Sequence, residues 1–249
     1  MKTEWNYTEL AEAYLKRPDY ADDAIDQLFA LAGLAAGKHA CDVGAGVAHL
    51  TLHLLKRGLQ VNAVEPNDAM RSRGIKRTEG MNAIWFEGVG EATGQQSGVF
   101  DIVTFGSSFN VCDRPKALLE VKRIAKPQGW FAAMWNHRDL TDPIQSEIEA
   151  LIRTRVEGYG YGVRREDQTE VMEQSGLFNA VHYIEGHVVH QQDIASVVEA
   201  WRSHATLARQ AGDLFELVIE DIEKFLLALG TDHIQIPYTT RLWAAQLKA

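Results

Sequence analysis

Cysteine is scarce in this chain, and a long apolar run is missing from it. The two cysteines, Cys41 and Cys112, lie in segments typical of a folded interior, and one pair does not make a disulfide framework. They and the scattered histidines also lack the close paired spacing of a zinc site. No stretch approaches the roughly 18 consecutive apolar residues of a membrane span, and Glu4, Glu9 and Glu12 stand where a secretory signal is apolar. The sequence predicts a soluble, cytoplasmic protein without a metal site.

Positive charge is also in deficit. The chain has 25 lysines and arginines against 34 aspartates and glutamates, which gives a formal net charge of -9. Such a surface repels a phosphate backbone and an anionic lipid surface. The 249 residues, 46% of them hydrophobic, suffice for one ordinary core, and no repeat or Gly/Ser linker divides them. We therefore expect a single domain with no nucleic-acid or membrane partner. The sequence leaves the oligomeric state open.

Short apolar runs alternate with helical patterns along the chain. The runs are too short for helices and are bounded by turn residues, which predicts buried strands. They cover residues 39–43, 61–65, 83–86, 100–105 and 129–135. An alternating run at 181–189 and a strand-like segment at 234–242 are expected to complete the sheet. Apolar residues three and four apart predict helices at 48–56, 68–77 and 114–124. This alternation predicts an α/β fold, with a doubly wound, mainly parallel seven-stranded sheet and helices on both faces.

The rest of the chain departs from that rhythm. A long helical stretch at 194–229 follows an acidic amphipathic segment, and both are expected to cover the sheet as a cap. The single domain, residues 1–249, is thus predicted to comprise an N-terminal helical lid at 1–36, a ligand-binding core at 37–140, and a helical cap over the substrate region at 141–180 and 191–230.

A glycine-rich turn follows the first predicted strand and opens a helix. Gly44 permits a sharp reversal, Gly46 lets the backbone approach a ligand, and the helix presents free N–H groups. Glu65 follows 19 residues after Gly46, near the spacing at which a carboxylate meets ribose hydroxyls. His49 stands where a nicotinamide-binding turn has its third glycine, which disfavours a dinucleotide. The turn is either a nucleotide-sized docking point or simply a tight turn.

Five motifs follow one another along the chain: Asp42-Val43-Gly44-Ala45-Gly46, Glu65-Pro66 with Met70, Gly88-Val89-Gly90-Glu91-Ala92-Thr93-Gly94, Phe100-Asp101-Ile102-Val103 and Lys126-Pro127-Gln128-Gly129. In order and spacing they resemble those of class I S-adenosylmethionine (SAM)-dependent methyltransferases. Within that family the chain most resembles the bacterial small-molecule group that includes trans-aconitate methyltransferase-like proteins. Weaker flanking motifs near residues 17–20, 135–139 and 236–240 extend it over nearly the whole chain.

The resemblance implies that SAM is the cofactor and that the core at 37–140 binds it. Carried over, Gly44, Ala45 and Gly46 pass under the methionyl portion, and Glu65 holds the ribose hydroxyls. Met70 lies against adenine, whose edge Gly90 and Glu91 border; Asp42 and Pro66 complete the set within these motifs. Two positions depart from the pattern. Ala48 replaces a third glycine, and Val89 stands where many relatives have an aspartate that accepts from the adenine amino group.

Ligands of an open parallel sheet bind beyond the carboxyl ends of its strands, so residues after the fourth and fifth strands are expected to face the reacting centre. Ser107 and Phe109 are predicted to border the cofactor. His137 is the candidate general base, with a structural hydrogen-bonding role as the alternative. Asn136 is expected to assist catalysis or to fix a substrate carboxylate or amine. Arg138 either binds an anionic substrate or pairs with a neighbouring carboxylate.

Aromatic residues predict where the substrate is covered. Tyr14 and Tyr20, with Arg17, belong to an N-terminal segment that also holds Trp5 and Tyr7; it folds over the ligand or simply packs on the sheet. Tyr161 lies in a glycine-hinged loop with Arg165, which is either an active-site cover or a surface connection. Trp201 and His204 share one face of a cap helix, and His204 is a weaker second candidate base.

The sequence therefore predicts transfer of a methyl group from SAM to an oxygen, nitrogen or carbon of a small metabolite, leaving S-adenosylhomocysteine. Two alternatives stay open. A SAM enzyme that cyclises the methionyl chain would leave methylthioadenosine, and a regulatory SAM-binding protein would turn nothing over. A dehydrogenase is disfavoured by His49. The residues do not identify the substrate or the atom that is alkylated.

Overall fold

The computed structural model describes residues 11–249, leaving out the side chains of Ala11, Ala13 and Arg164. Its strands are β1 (His39–Val43), β2 (Gln60–Val64), β3 (Ala83–Phe86), β4 (Phe100–Gly106), β5 (Ala125–Arg138), β6 (Phe178–Asp193) and β7 (His233–Leu247). Its α-helices are α1 (Ala11–Tyr14), α2 (Asp22–Ala32), α3 (His49–Lys56), α4 (Asp68–Arg77), α5 (Arg114–Ile124), α6 (Pro143–Arg155), α7 (Thr169–Gln174), α8 (Ile194–Arg202), α9 (Ala205–Ala211) and α10 (Phe215–Ala228).

The seven strands form one sheet in the order β3-β2-β1-β4-β5-β7-β6. Strands β1 to β5 run parallel, and β7 is antiparallel to both of its neighbours, β5 and β6. The order reverses between β1 and β4, and this is the switch point at which such sheets bind ligands. The doubly wound, mainly parallel seven-stranded fold predicted from the sequence is confirmed.

Short polar side chains start several of the helices. Asn67 accepts a hydrogen bond from the Met70 N–H at the start of α4, and Asp142 accepts two such bonds at the start of α6, where Pro143 occupies the first turn. Asp193 accepts the Ser196 N–H at the start of α8. These caps fix where α4, α6 and α8 begin, since each cap residue still has an extended backbone and the helix starts at the next residue.

Several element bounds differ from the predicted ones. β5 begins at Ala125, four residues before the predicted start, because Ala125 pairs with Phe100 across a register shift. It also continues to Arg138, three residues past the predicted end, and residues 130–138 pair with β7. The predicted helical stretch at 194–229 is broken at His204, which caps α9, and again at Gly212.

Helix α2 is part of the core. Ala24, Ile25 and Leu28 are fully buried in a cluster with residues of β1 and β7, including Ala40 and Leu242. The helical lid predicted for residues 1–36 therefore does not include α2. The sequence alone does not show which surface this helix covers.

The cap has a hydrophobic cluster of its own. Residues of α6, α8, α9 and α10 pack there against Ile234, Ile236 and Tyr238, at the start of β7. The first part of β7 therefore joins the cap to the sheet. Among residues 11–249, no helix is both long enough and apolar enough to cross a membrane.

Candidate active site

A cavity of about 350 Å³ lies at the carboxyl ends of β1, β2, β4 and β5. Its size falls within the range of small-molecule sites, about 300–1,000 Å³. The N-terminal segment and the cap close the opposite side through Tyr14, Arg17, Tyr161 and His204. The cavity therefore joins the glycine turn of the core to residues that are far away in the sequence.

The glycine turn after β1 has the backbone geometry expected from its sequence. Gly44 and Gly46 have φ angles of +68° and +56°, in the left-handed region that glycine adopts without strain. A Cβ atom on Gly44 would collide with the Ser108 side chain. The N–H groups of Gly44 and Ala45 are held by the Val64 carbonyl, at 2.8 and 3.1 Å. The turn is thus fixed to the end of β2 and lines the cavity.

Glu65 lies directly after β2, and its carboxylate is buried against this turn. One oxygen, Oε2, accepts the Gly46 N–H at 2.9 Å, and Oε1 accepts the Asn67 N–H at 2.8 Å. Burial raises the pKa of Glu65 above its ordinary value, although the two N–H groups oppose that shift. Each carboxylate oxygen can accept more than one hydrogen bond. Glu65 therefore retains acceptor capacity toward the cavity that it lines.

Asp42, at the end of β1, is fully buried and also lines the cavity. Its oxygens accept hydroxyl hydrogens from Thr51 at 2.6 Å and Thr104 at 3.1 Å. Burial raises the pKa of Asp42 to about 6, and the two hydroxyl groups act in the opposite direction. Its charge therefore changes near neutral pH.

The remaining residues predicted to bind the cofactor from these motifs also line the cavity. Met70 is buried, Pro66 lies beside it in the lining, and Gly90 has no room for a side chain because a Cβ would come within 2.5 Å of the Cys112 sulfur. Glu91 accepts the Asp113 N–H. We call the part of the cavity around the carboxylates of Asp42, Glu65 and Glu91 the acidic end.

The two residues predicted after β4 have different positions. Ser107 has a left-handed backbone, φ +57°, and its hydroxyl lies 3.1 Å from the Tyr20 hydroxyl at the cavity wall. Phe109 does not line the cavity. It is fully buried and packs against Phe105 and Phe131, with ring centroids 5.4 and 5.2 Å away. The structure does not give Phe109 the predicted cofactor contact, because its ring is part of the hydrophobic core cluster of the sheet.

Asn136 lines the cavity, but the protein itself occupies its side-chain amide. The amide nitrogen donates to the carbonyl oxygens of Pro18 at 3.3 Å and Asp19 at 2.9 Å, and the amide oxygen accepts the Thr240 hydroxyl at 2.5 Å. The same Thr240 oxygen accepts the Ala21 N–H. The structure therefore gives Asn136 a positioning role, fastening residues 18–21 to β5 and β7, in place of the catalytic or substrate-fixing role expected from the sequence.

His137 lies within β5 rather than after it, and its backbone is in register with Thr239 of β7. The side chain is 5% exposed and forms part of the cavity wall. Because β5 continues through this position, the imidazole is carried by a paired strand and not by a loop. That placement provides the rigid support that a proton-transfer residue needs.

Arg138 is the last residue of β5 and faces the cavity from the cap side. Its guanidinium carbon lies 3.8 Å from the centroid of the Trp201 ring and 5.7 Å from that of Tyr238. Trp201 itself is buried and does not line the cavity. The structure therefore does not give it the predicted substrate contact; its ring stacks against the Arg138 guanidinium instead. No pairing between Arg138 and Asp139 occurs among residues 11–249.

A second arginine, Arg165, stands beside the first. Its guanidinium carbon lies 3.8 Å from the centroid of Tyr161, and one of its nitrogens donates to the Arg138 carbonyl oxygen at 3.4 Å. Tyr161 and Arg165 belong to one loop, which forms a short 3₁₀ turn at Gly162–Arg165. Both side chains line the cavity. We call the part of the cavity around Arg138 and Arg165 the basic end.

His204 lines the cavity as predicted, but its geometry opposes the role of a base. The Nδ1 atom accepts the Leu207 N–H at 3.1 Å and so caps α9. A neutral imidazole that accepts at Nδ1 carries its proton on Nε2, which makes the other side of the ring a donor. His204 is therefore suited to donating a hydrogen bond rather than to taking up a proton.

The described part of the N-terminal segment covers one side of the cavity. Tyr14, Arg17 and Tyr20 all line it, as predicted. The Arg17 guanidinium carbon is 3.7 Å from the Tyr14 ring centroid, and a nitrogen donates to the Ser203 carbonyl oxygen at 2.9 Å. Trp5 and Tyr7, which the same argument included, lie outside the described residues.

His49 was considered in the sequence only as an argument against a dinucleotide, and its position is new. Its ring nitrogens lie 2.9 Å from an Asp19 carboxylate oxygen and 2.9 Å from the Tyr14 carbonyl oxygen. The hydrogen bond from His49 lowers the pKa of Asp19 to about 2. His49 therefore connects the start of α3 to the segment over the cavity. Tyr238 and Asn67 also line the cavity without having been predicted to do so.

The residues present fit SAM. The buried Glu65 carboxylate has spare acceptor capacity for ribose hydroxyls, the left-handed glycines keep the wall free of side chains, and the acidic end suits a ligand whose sulfonium and ammonium are cationic. In the described part of the chain, no group of three His, Cys, Asp or Glu side chains is arranged to hold a metal ion.

Comparison with known proteins agrees with the core of the site. Residues 41–133 match the family model described as a methyltransferase domain. Uncharacterised methyltransferases of Mycobacterium tuberculosis and Mycobacterium bovis are each 32% identical to the chain over 123 residues, which are 49% of this chain and 48% of the relative. The chain thus spans about half the length of the curated relatives it matches.

Solved structures extend the similarity of fold. A putative type II methyltransferase from Anaeromyxobacter dehalogenans has a TM-score of 0.62 and 17% identity, covering 92% of this chain and 97% of that one. A phosphoethanolamine N-methyltransferase from Haemonchus contortus, solved with phosphomonomethylethanolamine and S-adenosylhomocysteine, has a TM-score of 0.55 and 14% identity, covering 96% of this chain and 57% of that one. At such low identities, the likeness establishes the fold.

Proposed function

Because residues 41–133 of this chain are a class I SAM-dependent methyltransferase domain, with SAM as its cofactor, we propose that the protein transfers the SAM methyl group to a small molecule. The observation that carries this proposal is a single cavity, of about 350 Å³, that joins the glycine turn and Glu65 to side chains of the cap. A cofactor at one end and a second small molecule at the other can then meet without passing through solvent.

Holding the cofactor is assigned to the acidic end. Glu65, fixed by the Gly46 and Asn67 N–H groups, is placed to accept ribose hydroxyls. Gly44 and Gly46 leave the wall open to the methionyl portion, and Met70 supplies a buried apolar surface for adenine. Asp42, when ionised, adds a negative charge beside the turn. Each of these contributions comes from a residue whose position is fixed by other hydrogen bonds or by burial.

The chemistry that SAM supplies is a methyl group on a sulfonium: a lone pair of the acceptor forms the new bond as the carbon–sulfur bond breaks, leaving a neutral thioether. The chain has to align the acceptor, exclude water and remove a proton from the acceptor where it carries one. We assign proton removal to the imidazole of His137, which is carried by a paired strand at the cavity wall. Tyr20 and the segment that Asn136 fastens exclude water on one side.

The decisive experiment identifies the nucleoside formed from SAM. The purified protein is incubated with SAM and with mixtures of small hydroxy acids, amino acids and amines, and the products are analysed by mass spectrometry. S-adenosylhomocysteine that appears only with an acceptor, together with an acceptor 14 mass units heavier, supports methyl transfer. Methylthioadenosine as the product would replace it with cyclisation, and the absence of any nucleoside product from all mixtures would favour a regulatory SAM-binding protein.

A further inference from the structure

Three arginines line the cavity, and none of them forms an ion pair with a described residue, but Arg17 donates to the Ser203 carbonyl oxygen at 2.9 Å and stacks on Tyr14 away from the other two. Arg153 pairs with Glu149 and Arg155 pairs with Asp221, each at 2.8 Å. Arg138 and Arg165 form no ion pair with any described residue. Both nevertheless line the cavity and are at least partly buried. In a chain with a net charge of -9, two cations without an ion-pair partner among the described residues thus lie in one place.

The environment of Arg138 holds the guanidinium group without satisfying it. The flat faces of Trp201 and Tyr238 support it, at 3.8 and 5.7 Å from their centroids. Its Nε atom is buried and has no hydrogen-bond partner among the described residues. Buried donors in native proteins nearly always have a partner, so a group from outside the chain, a ligand or an ordered water, is expected to accept from this one.

Arg165 is stacked in the same way and adds a second donor group. Burial lowers the pKa of Arg165; the charge of Glu149 opposes that shift, and the charge of Arg138 adds to it. Glu149 forms its ion pair with Arg153 and accepts the Tyr161 hydroxyl. Glu149 therefore holds the Tyr161 side chain beside Arg165 and attracts the Arg165 charge without forming an ion pair with it.

We propose that the basic end binds an oxyanion, a carboxylate or phosphate group of the methyl acceptor, through Arg138 and Arg165. Planar guanidinium groups bind such oxyanions bidentately, and stacking on aromatic rings fixes the direction of their N–H groups. This proposal rests on the proposed methyl transfer only where it identifies the anion as the methyl acceptor, because anion binding itself does not need turnover. The oxyanion group anchors the acceptor, and the atom that is methylated lies elsewhere on the same molecule.

The test measures anion binding without turnover. Protein saturated with S-adenosylhomocysteine, so that the cofactor position is filled, is titrated by calorimetry with succinate, citrate and inorganic phosphate, and with neutral succinamide. We expect at least one anion to bind and succinamide not to bind. Arg138→Gln and Arg165→Gln should each weaken that anion by about tenfold or more, as expected for a lost hydrogen bond between charged groups. Arg155→Gln, which removes an arginine outside the cavity, should leave it unchanged.

The ranking of carboxylates against phosphate identifies which oxyanion the site prefers. Thermal melting and SAM titration of each variant show that it is folded, and Arg165→Lys, which keeps the charge but loses the planar fork, should bind the anion with intermediate affinity. The proposal is overturned if none of the three anions binds, if succinamide binds equally well, or if the Gln variants bind anions like the wild type. It is also overturned if those variants lose SAM affinity, because the arginines would then serve the cofactor carboxylate. A failed product analysis with intact anion binding would instead count against methyl transfer alone.

Discussion

The two ends of the cavity are built in opposite ways. At the acidic end, Asp42 and Glu65 lie in one βαβ unit and already accept hydrogen bonds from neighbouring hydroxyl and N–H groups. At the basic end, Arg138 and Arg165 come from separate elements, rest on aromatic rings and lack ionic partners among the described residues. The first end is held in place by hydrogen bonds within the protein and keeps acceptor capacity at Glu65, whereas the second leaves the Arg138 Nε atom without a hydrogen-bond partner among the described residues. A preorganised end suits a cofactor that every turnover uses, and an end with unpaired donors suits discrimination between substrates.

The largest expected effect separates the two ends outright. Gly46→Trp would place a large ring in the turn, where the φ of +56° also disfavours any side chain, so SAM affinity should fall below detection in calorimetry. Anion binding at the basic end should persist, provided that thermal melting shows a folded protein. Unaltered SAM affinity would contradict our placement of the cofactor.

His137 lines the cavity but belongs to neither set of charged residues, so its loss should affect neither binding step. His137→Ala should reduce turnover by about 100-fold or more, the usual contribution of a general base, once an acceptor is known. Calorimetry should show SAM affinity within about twofold of the wild type. Turnover that stays at the wild-type rate would leave His137 a purely structural residue of β5.

Glu65→Ala should weaken only the acidic end. Removing the carboxylate takes away the acceptor for two ribose hydroxyls, which corresponds to about 1–3 kcal/mol of binding free energy measured by SAM titration. Glu87→Ala, at an exposed carboxylate beyond β3, serves as the matched control and should bind SAM normally. If both variants bind SAM equally well, the ribose lies elsewhere.

The pH dependence of cofactor binding should come from Asp42. Its pKa of about 6 means that it is neutral below and anionic above that pH, so SAM affinity should rise by up to about tenfold between pH 5 and 7. S-adenosylhomocysteine lacks the sulfonium charge and should show a weaker rise. Asp42→Asn should flatten the SAM profile.

Because the folded-state pKa of Asp42 lies above the ordinary 3.8, ionisation of Asp42 also costs stability, which declines as pH rises from about 4 to 6.

The smallest effect concerns the strain in the glycine turn. Ala48 has a φ of +75° and is fully buried. Ala48→Gly relieves about 1–2 kcal/mol of left-handed strain, but it loses about 0.8 kcal/mol for a buried methyl group and about 0.5–1 kcal/mol to the freer unfolded chain. The net change in unfolding free energy should therefore stay within about 1 kcal/mol. Ala63→Gly, at an equally buried alanine in β2, is the control and should destabilise more; equal losses would show that Ala48 is unstrained.

The acidic end was accessible from the sequence because its residues are close together in the chain. Gly44, Gly46 and Glu65 follow strands that a short apolar run predicts, and the switch point of the sheet brings them to one cavity. The prediction for Phe109 failed because the sequence does not show whether its ring enters the cavity or the core. That choice depends on the packing of Phe105 and Phe131, which no local pattern records.

The basic end and the segment across the cavity depend on distant partners. The amide of Asn136 is occupied by residues more than 100 positions away on each side, so its residue type alone suggested chemistry that the structure does not give it. Arg165 was noted in a glycine-hinged loop but was not chosen as a site residue, because nothing local places it beside Arg138. The pairing of two arginines without carboxylates becomes visible only when the cap and the sheet are assembled.

The left-handed backbone at Ala48 has a wider meaning for recognising such proteins. The backbone before α3 keeps a left-handed bend at Ala48, although glycine would adopt it with less strain. The steric cost is that of one methyl group. The turn requires a left-handed backbone at this position, and glycine is only the commonest residue that provides it. Surveys that search genomes for three regularly spaced glycines will pass over chains like this one.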